Sequence, residues 1–157
     1  MGRYPRGVTV APQGNAAYVA IMGGDHLVRV DLRTWETSTI PIGSGPRALE
    51  IDRSGRRIYA TLNAAGRVAR LDLRTGRVNT VSTGTLPRSL AIADDGKAIY
   101  VVNYESGTVS KLRTKDLEVL QTIPACYHPI GITYDAPTRR VWVACYGGSI
   151  LVYNDRR

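Results

Sequence analysis

The feature that most constrains this sequence is that it repeats itself every 41 to 42 residues. Prolines fall at Pro5, Pro46, Pro87 and Pro129, and Tyr18, Tyr59, Tyr100 and Trp142 keep the same spacing. Gly14, Gly55 and Gly96 each stand nine residues after a proline. The aligned segments read PRGVTVAPQGNAAYVA, PRALEIDRSGRRIYAT, PRSLAIADDGKAIYVV and PIGITYDAPTRRVWVA. Agreement in several columns at once defines four repeats, 5–45, 46–86, 87–128 and 129–157, in one domain spanning 1–157. A period of this length belongs to stacked architectures, whose units cannot bury their apolar surface alone.

Inside each repeat the period is two. Apolar residues alternate after the proline, as in Val8 and Val10 or Leu49 and Ile51, and a turn cluster follows (PQGN, RSGR, DDGK, APTR). A second run such as AIYVV, a third such as HLVRVDL and a fourth such as TSTIPI complete the unit. No segment holds an i, i+3, i+4, i+7 stripe, so helices are excluded. Four short strands per repeat make a β-propeller blade, and the fold class expected is all-β with four blades of four antiparallel strands. The fourth blade lacks its outer strand, because the repeat stops at Asp155-Arg156-Arg157.

Composition narrows the partners. Hydrophobic residues at 43% and charged residues at 22% exclude a disordered tail. The apolar run around Ala98–Val102 is far short of the ~20 residues of a membrane span. No leader pattern precedes the first repeat, which places the protein in the cytoplasm if the chain is complete and outside it if a leader has been removed. The net charge is +8, and 18 of the 21 basic residues are arginine. Such a field favours anionic partners, among them nucleic acid, acidic lipid surfaces and polyanionic sugars. A merely solvated arginine-rich surface is the plainer reading.

The tract Pro-x-x-apolar-x-apolar, a glycine turn, Tyr-Val, Asn103 in YVVN and a strand ending VDL resembles the YVTN-type β-propeller repeat family, from Pro5 to about Asp155. The resemblance implies a propeller, usually of seven or eight blades, and its members include lactonase-like and surface-layer proteins. Here there are four repeats, and Ile21, Leu62 and Cys145 take the place of Asn103 in the others. Met1 to Tyr4 are too few to complete blade 4 by strand exchange. The expectation is therefore an open arc, half of an eight-bladed ring closed as a homodimer of two copies head to tail. A closed four-bladed monomer and the excised half of a longer propeller are the alternatives.

The junctions before each proline and the 22–26, 63–66, 103–107 and 145–148 loops share one face, the top. Arg6, Arg47 and Arg88 follow three of the prolines, with Ile130 in the fourth position. Guanidinium forks suit carboxylate or phosphate; pairing with nearby loop carboxylates is the alternative. Asn103, Tyr104, Tyr127, His128 and Tyr146 join them as candidate ligand-binding residues, and aromatic side chains beside arginine suit both protein hot spots and base stacking. Cys126 and Cys145 lie on the top of one blade. Two free thiols, a disulfide, and a Cys/His metal or redox site are all open readings, and His26 of a partner copy could approach them. Tyr18, Tyr59, Tyr100 and Trp142 are assigned to core packing. No nucleophile elbow, Walker loop or His-x-x-x-His motif is present, and no acidic partner is evident for either histidine.

The function expected is non-catalytic: a binding scaffold that presents a basic channel mouth to an anionic small molecule or a protein partner, with no metal and no cofactor. A lactonase-like or lyase-like enzyme is the first alternative, and single-stranded nucleic-acid binding the second.

Overall fold

Pro5, Pro46, Pro87 and Pro129 each start a strand, and within a blade each strand is laid antiparallel on the next by a short turn. The computed structural model describes residues 2–155; Met1, Arg156 and Arg157, the ends of the expected 1–157 domain and 129–157 repeat, lie outside the described residues. Blade 1 contains β1 (Pro5–Val10), β2 (Ala16–Ile21), β3 (His26–Asp31) and β4 (Thr37–Pro41). Blade 2 contains β5 (Pro46–Ile51), β6 (Arg57–Leu62), β7 (Arg67–Asp72) and β8 (Val78–Ser82). Blade 3 contains β9 (Pro87–Ile92), β10 (Ala98–Asn103), β11 (Thr108–Arg113) and β12 (Val119–Pro124). Blade 4 contains β13 (Pro129–Asp135), β14 (Arg140–Cys145) and β15 (Ile150–Asn154). In every blade the strands pair in chain order, giving three four-stranded sheets and one of three strands. This is the expected all-β propeller architecture, with the fourth blade short of its outer strand.

The turn glycines Gly14, Gly55 and Gly96 have φ of 69°, 69° and 68°, a conformation open to glycine at no steric cost. The one 42-residue spacing has a local cause. Leu112 pairs with Val119 while Lys111 pairs with Gln121, so Leu120 is the extra residue of a β-bulge in β12.

The first strands of successive blades, β1, β5, β9 and β13, lie side by side. Three cores form between the sheets. Tyr18 and Leu27 of blade 1 pack with Leu49, Ile58 and Leu62 of blade 2. Tyr59 and Val68 pack with Leu90, Ile99 and Val101. Tyr100, Val102 and Val109 pack with Val141 and Val143 of blade 4. Burying one such side chain contributes about 1.5–3 kcal/mol.

Tyr18, Tyr59 and Tyr100 are core, as expected. Trp142 corrects the expectation, being 37% exposed. It occupies the same column but faces away from blade 3, where no further blade covers it. The converse holds at blade 1. Val8 and Val10 are 63% and 51% exposed, whereas Leu49 and Leu90, in the Val8 column, are buried. Among the described residues the arc is open, and the four blades do not close a ring.

Polar ties bridge the blades. Arg70 donates to the Thr114 carbonyl at 2.9 Å. Lys111 Nζ donates to the nearly buried Asp155 at 2.6 Å, and the Tyr134 hydroxyl donates to the same carboxylate at 3.2 Å. Burial alone would push the Asp155 carboxyl up, but the hydrogen bonds from Lys111 and Tyr134 hold it below its ordinary value. A carboxylate depressed in the folded state stabilises the fold above its unfolded pKa of about 3.9, and that contribution is lost as pH falls through the lower folded value. Asp155→Asn is expected to cost about 1.5–3 kcal/mol at pH 7. It should also remove part of the stability loss below about pH 4, as read by denaturant unfolding across pH. Identical acid profiles for the two proteins would contradict this account of the blade 3–blade 4 tie.

Candidate functional site

The top face is built by one backbone device repeated four times. The residue before each proline turns through positive φ: Tyr4 at 56°, Gly45 at 68°, Leu86 at 54° and His128 at 51°. Its carbonyl then accepts from the loop that follows the second strand, at 3.0 Å from Met22, 2.8 Å from Asn63, 3.1 Å from Tyr104 and 3.0 Å from Tyr146. Three of the four residues are not glycine, a strain of about 1–2 kcal/mol each that the surrounding hydrogen bonds must hold. The arginines leave the backbone two residues after this turn. A Cβ on Gly7 would stand 2.5 Å from the Arg47 carbonyl, so the first strands of blades 1 and 2 approach closely beside Arg6 and Arg47.

Burial, then the neighbouring cations of Arg88 and Arg6, lower the pKa of Arg47. Among the described residues none of the three has a carboxylate partner. Arg47 Nη1 instead meets the Met22 sulfur at 3.5 Å. Arg88 Nε is buried without a hydrogen-bond partner, and its guanidinium lies 3.5 Å over the Tyr104 ring.

Tyr104, Tyr127 and His128 come together as one stack. The Tyr104 and His128 centroids are 4.0 Å apart, and those of Tyr127 and His128 are 3.6 Å apart. Two groups at such distances cannot share one ring face, so the order is Arg88, Tyr104, His128, Tyr127. His128 Nε2 lies 3.5 Å from Glu105, which corrects the expectation that neither histidine has an acidic partner. His26 also has one, Asp25 at 3.2 Å, on blade 1 and away from this stack. Glu105 was missed because its repeat column carries no acid elsewhere and it meets His128 only through the blade 3–blade 4 junction. Tyr146 is exposed and lies outside the stack.

Asn103 is a second correction. It is fully buried and cannot meet a ligand. Its Oδ1 accepts from Gly84 N at 3.1 Å, and its Nδ2 donates to Thr108 at 3.0 Å and Ser110 at 2.9 Å. A Cβ on Gly84 would sit 2.7 Å from the Asn103 side chain. The same two columns are joined in every blade. Gly2 lies against Ile21 and Gly43 against Leu62, while Cys126 and Cys145 form a disulfide with Cα atoms 6.0 Å apart. Of the three readings of the cysteines, the structure selects the disulfide.

Residues 47–147 match the Cytochrome D1 heme domain family, and the chain belongs to that family. The resemblance read from the repeats thus holds as membership of a propeller family. No curated protein matches. Among solved structures, hydrazine synthase of Kuenenia stuttgartiensis superposes with a TM-score of 0.88 at 19% identity, over 96% of this chain and 46% of that one. A candidate 6-phosphogluconolactonase of Bacteroides fragilis superposes with a TM-score of 0.86 at 18% identity, over 98% of this chain and 51% of that one. Another from Bacteroides uniformis gives 0.82 at 18% identity, over 98% and 51%. The chain thus spans about half the length of these structures, and the likeness is one of fold. Their names are those of enzymes, which lends no weight to a non-catalytic reading.

A haem needs an axial donor with an open approach. His128 has its Nε2 at Glu105, whereas His26 has its Nδ1 at Asp25, an orientation that leaves Nε2 as the atom that would hold an iron, so His26 and not His128 is the residue that would supply an axial nitrogen.

The disulfide closes its segment across a sequence separation of 19. Cys126→Ser is expected to lower stability by about 3 kcal/mol under oxidising conditions. With reductant the wild type should fall to the level of the variant, as measured by urea unfolding.

Proposed function

We propose that the protein is a propeller binding module that holds a small carboxylate- or phosphate-bearing ligand at the mouth of its channel. What supports this reading is that the charges of Arg88 and Arg6 reach Arg47, while none of the three has a carboxylate partner among the described residues. Gathering like charges is unfavourable, and a bound anion relieves it through charge-assisted hydrogen bonds. The Tyr104–His128–Tyr127 stack fixes the Arg88 guanidinium from below, a preorganisation that reduces the entropy lost on binding. Base stacking has less support, since both faces of Tyr104 are already occupied and Tyr127 retains one free face.

A second reading rests on the His128–Glu105 pair, 3.5 Å apart beside the arginines. A histidine oriented by a carboxylate can act as a general base, and two neighbours in fold carry the name 6-phosphogluconolactonase. In that reading the arginines hold the phosphate of a phosphorylated sugar lactone while His128 activates water.

Titration calorimetry with inorganic phosphate and with citrate tests the binding. Replacing Arg6, Arg47 and Arg88 together by Gln should weaken both by at least about 10-fold, roughly the worth of one charged hydrogen bond. Unchanged affinity would overturn the proposal. For the second reading, hydrolysis of 6-phosphogluconolactone above the spontaneous rate should fall by about 10²–10⁴ in His128→Gln; no rate above background in the wild type removes it.

A further inference from the structure

The two ends of the arc are unpartnered but not alike. The outer face of blade 4 presents Trp142, Ile150 and Val152 at 37%, 65% and 44% exposure, and the opposite face of blade 1 presents Val8 and Val10. These are the columns that meet at the three internal junctions. Trp142 stands in the column of Tyr18, Tyr59 and Tyr100, while Val10 stands in that of Tyr134, which stacks on Tyr100 with ring centroids 5.8 Å apart.

The polar columns change in step. Pairing with the aromatic column places Arg29, Arg70 and Lys111 in one row, with Val152 as its fourth member. Arg70 and Lys111 reach across to Thr114 and Asp155 of the following blade. Leu32 holds the matching place in blade 1, since Leu32, Leu73, Thr114 and Asp155 make the same backbone bond to the preceding turn. Lys111 facing Asp155 and Arg70 facing Thr114 inside the arc thus become valine and leucine at its two ends. Gly2 packs on Ile21 as Gly43 packs on Leu62, so blade 1 has the top edge of a blade that follows another.

We propose that the outer face of blade 4 docks on blade 1 of a second copy of this chain, twice over, closing an eight-bladed ring of two chains. The three solved structures compared above are covered to 46–51% of their length, the share that one of two equal halves would supply. The twofold ring places six arginines around a single mouth, Arg6, Arg47 and Arg88 from each copy, with Ile130 closing each set. The anion site is then shared, and it suits a ligand with two or more anionic groups. The shared site rests on the binding reading above, whereas the ring does not.

Light scattering on a sizing column tests the ring. The expected mass is twice the 17.1 kDa of one chain, reverting to one chain in Trp142→Asp and in Val8→Asp with unchanged circular dichroism. As a check that does not depend on the charge variants, a mixture of Trp142→Cys and Val10→Cys chains should cross-link into a covalent dimer on mild oxidation. A monomer at all concentrations, a ladder of higher open oligomers, or a dimer whose mass is unaffected by both substitutions would overturn the ring. Citrate titration into monomeric Trp142→Asp separates the two ideas. At least about 10-fold weaker binding than in the dimer supports the shared site, and equal binding overturns the sharing while leaving the binding reading intact. Loss of binding only in the triple arginine variant has the same meaning.

Discussion

Everything in this fold depends on sheets that cannot exist alone. A four-stranded sheet with two apolar faces is unstable in water until each face is covered, and the cover here is another copy of the same unit. The aromatic column takes part in that covering at every internal junction: Tyr18, Tyr59 and Tyr100 pack with residues of the next blade and are at most 6% exposed. The middle strands β6 and β10, enclosed on both sides, are buried almost end to end. The outer strands β4, β8 and β12 are mostly exposed or half-buried and tolerate polar residues. Stability therefore rises inward from both ends of the arc.

The same stacking shapes the candidate site. Because the first strands of successive blades lie side by side, a repeated arginine in that column brings the charges of Arg88 and Arg6 to bear on Arg47. The junctions add specificity, since they differ from blade to blade. Among the described residues the aromatic stacks lie at the blade 3–blade 4 junction, and there Glu105 meets His128.

The architecture was legible because the column structure of the repeat is a direct image of packing. Proline, turn glycine and tyrosine recur with the period of a blade, and strand alternation shows which residues face a neighbour. The same columns put Arg6, Arg47 and Arg88 at equivalent places in three blades. What was not legible involved residues outside the repeat pattern. Asn103 resembles a polar site residue in sequence, and only the approach of Gly84, Thr108 and Ser110 shows it to be fully engaged. Glu105 and His128 meet through a junction whose path no local pattern dictates. Trp142 was misassigned because a column records what a position does in a typical blade, and blade 4 has no successor within the chain.

The junction latch differs in chemistry from blade to blade: glycine under isoleucine, glycine under leucine, glycine bonded to asparagine, and cysteine bonded to cysteine. Three of these latches are indifferent to electrons, and one is not. The molecule is therefore uneven in its response to its surroundings. A reducing environment loosens a single hinge, the one that carries the Tyr127–His128 stack and precedes the exposed Trp142 face, while the other three blades keep their grip.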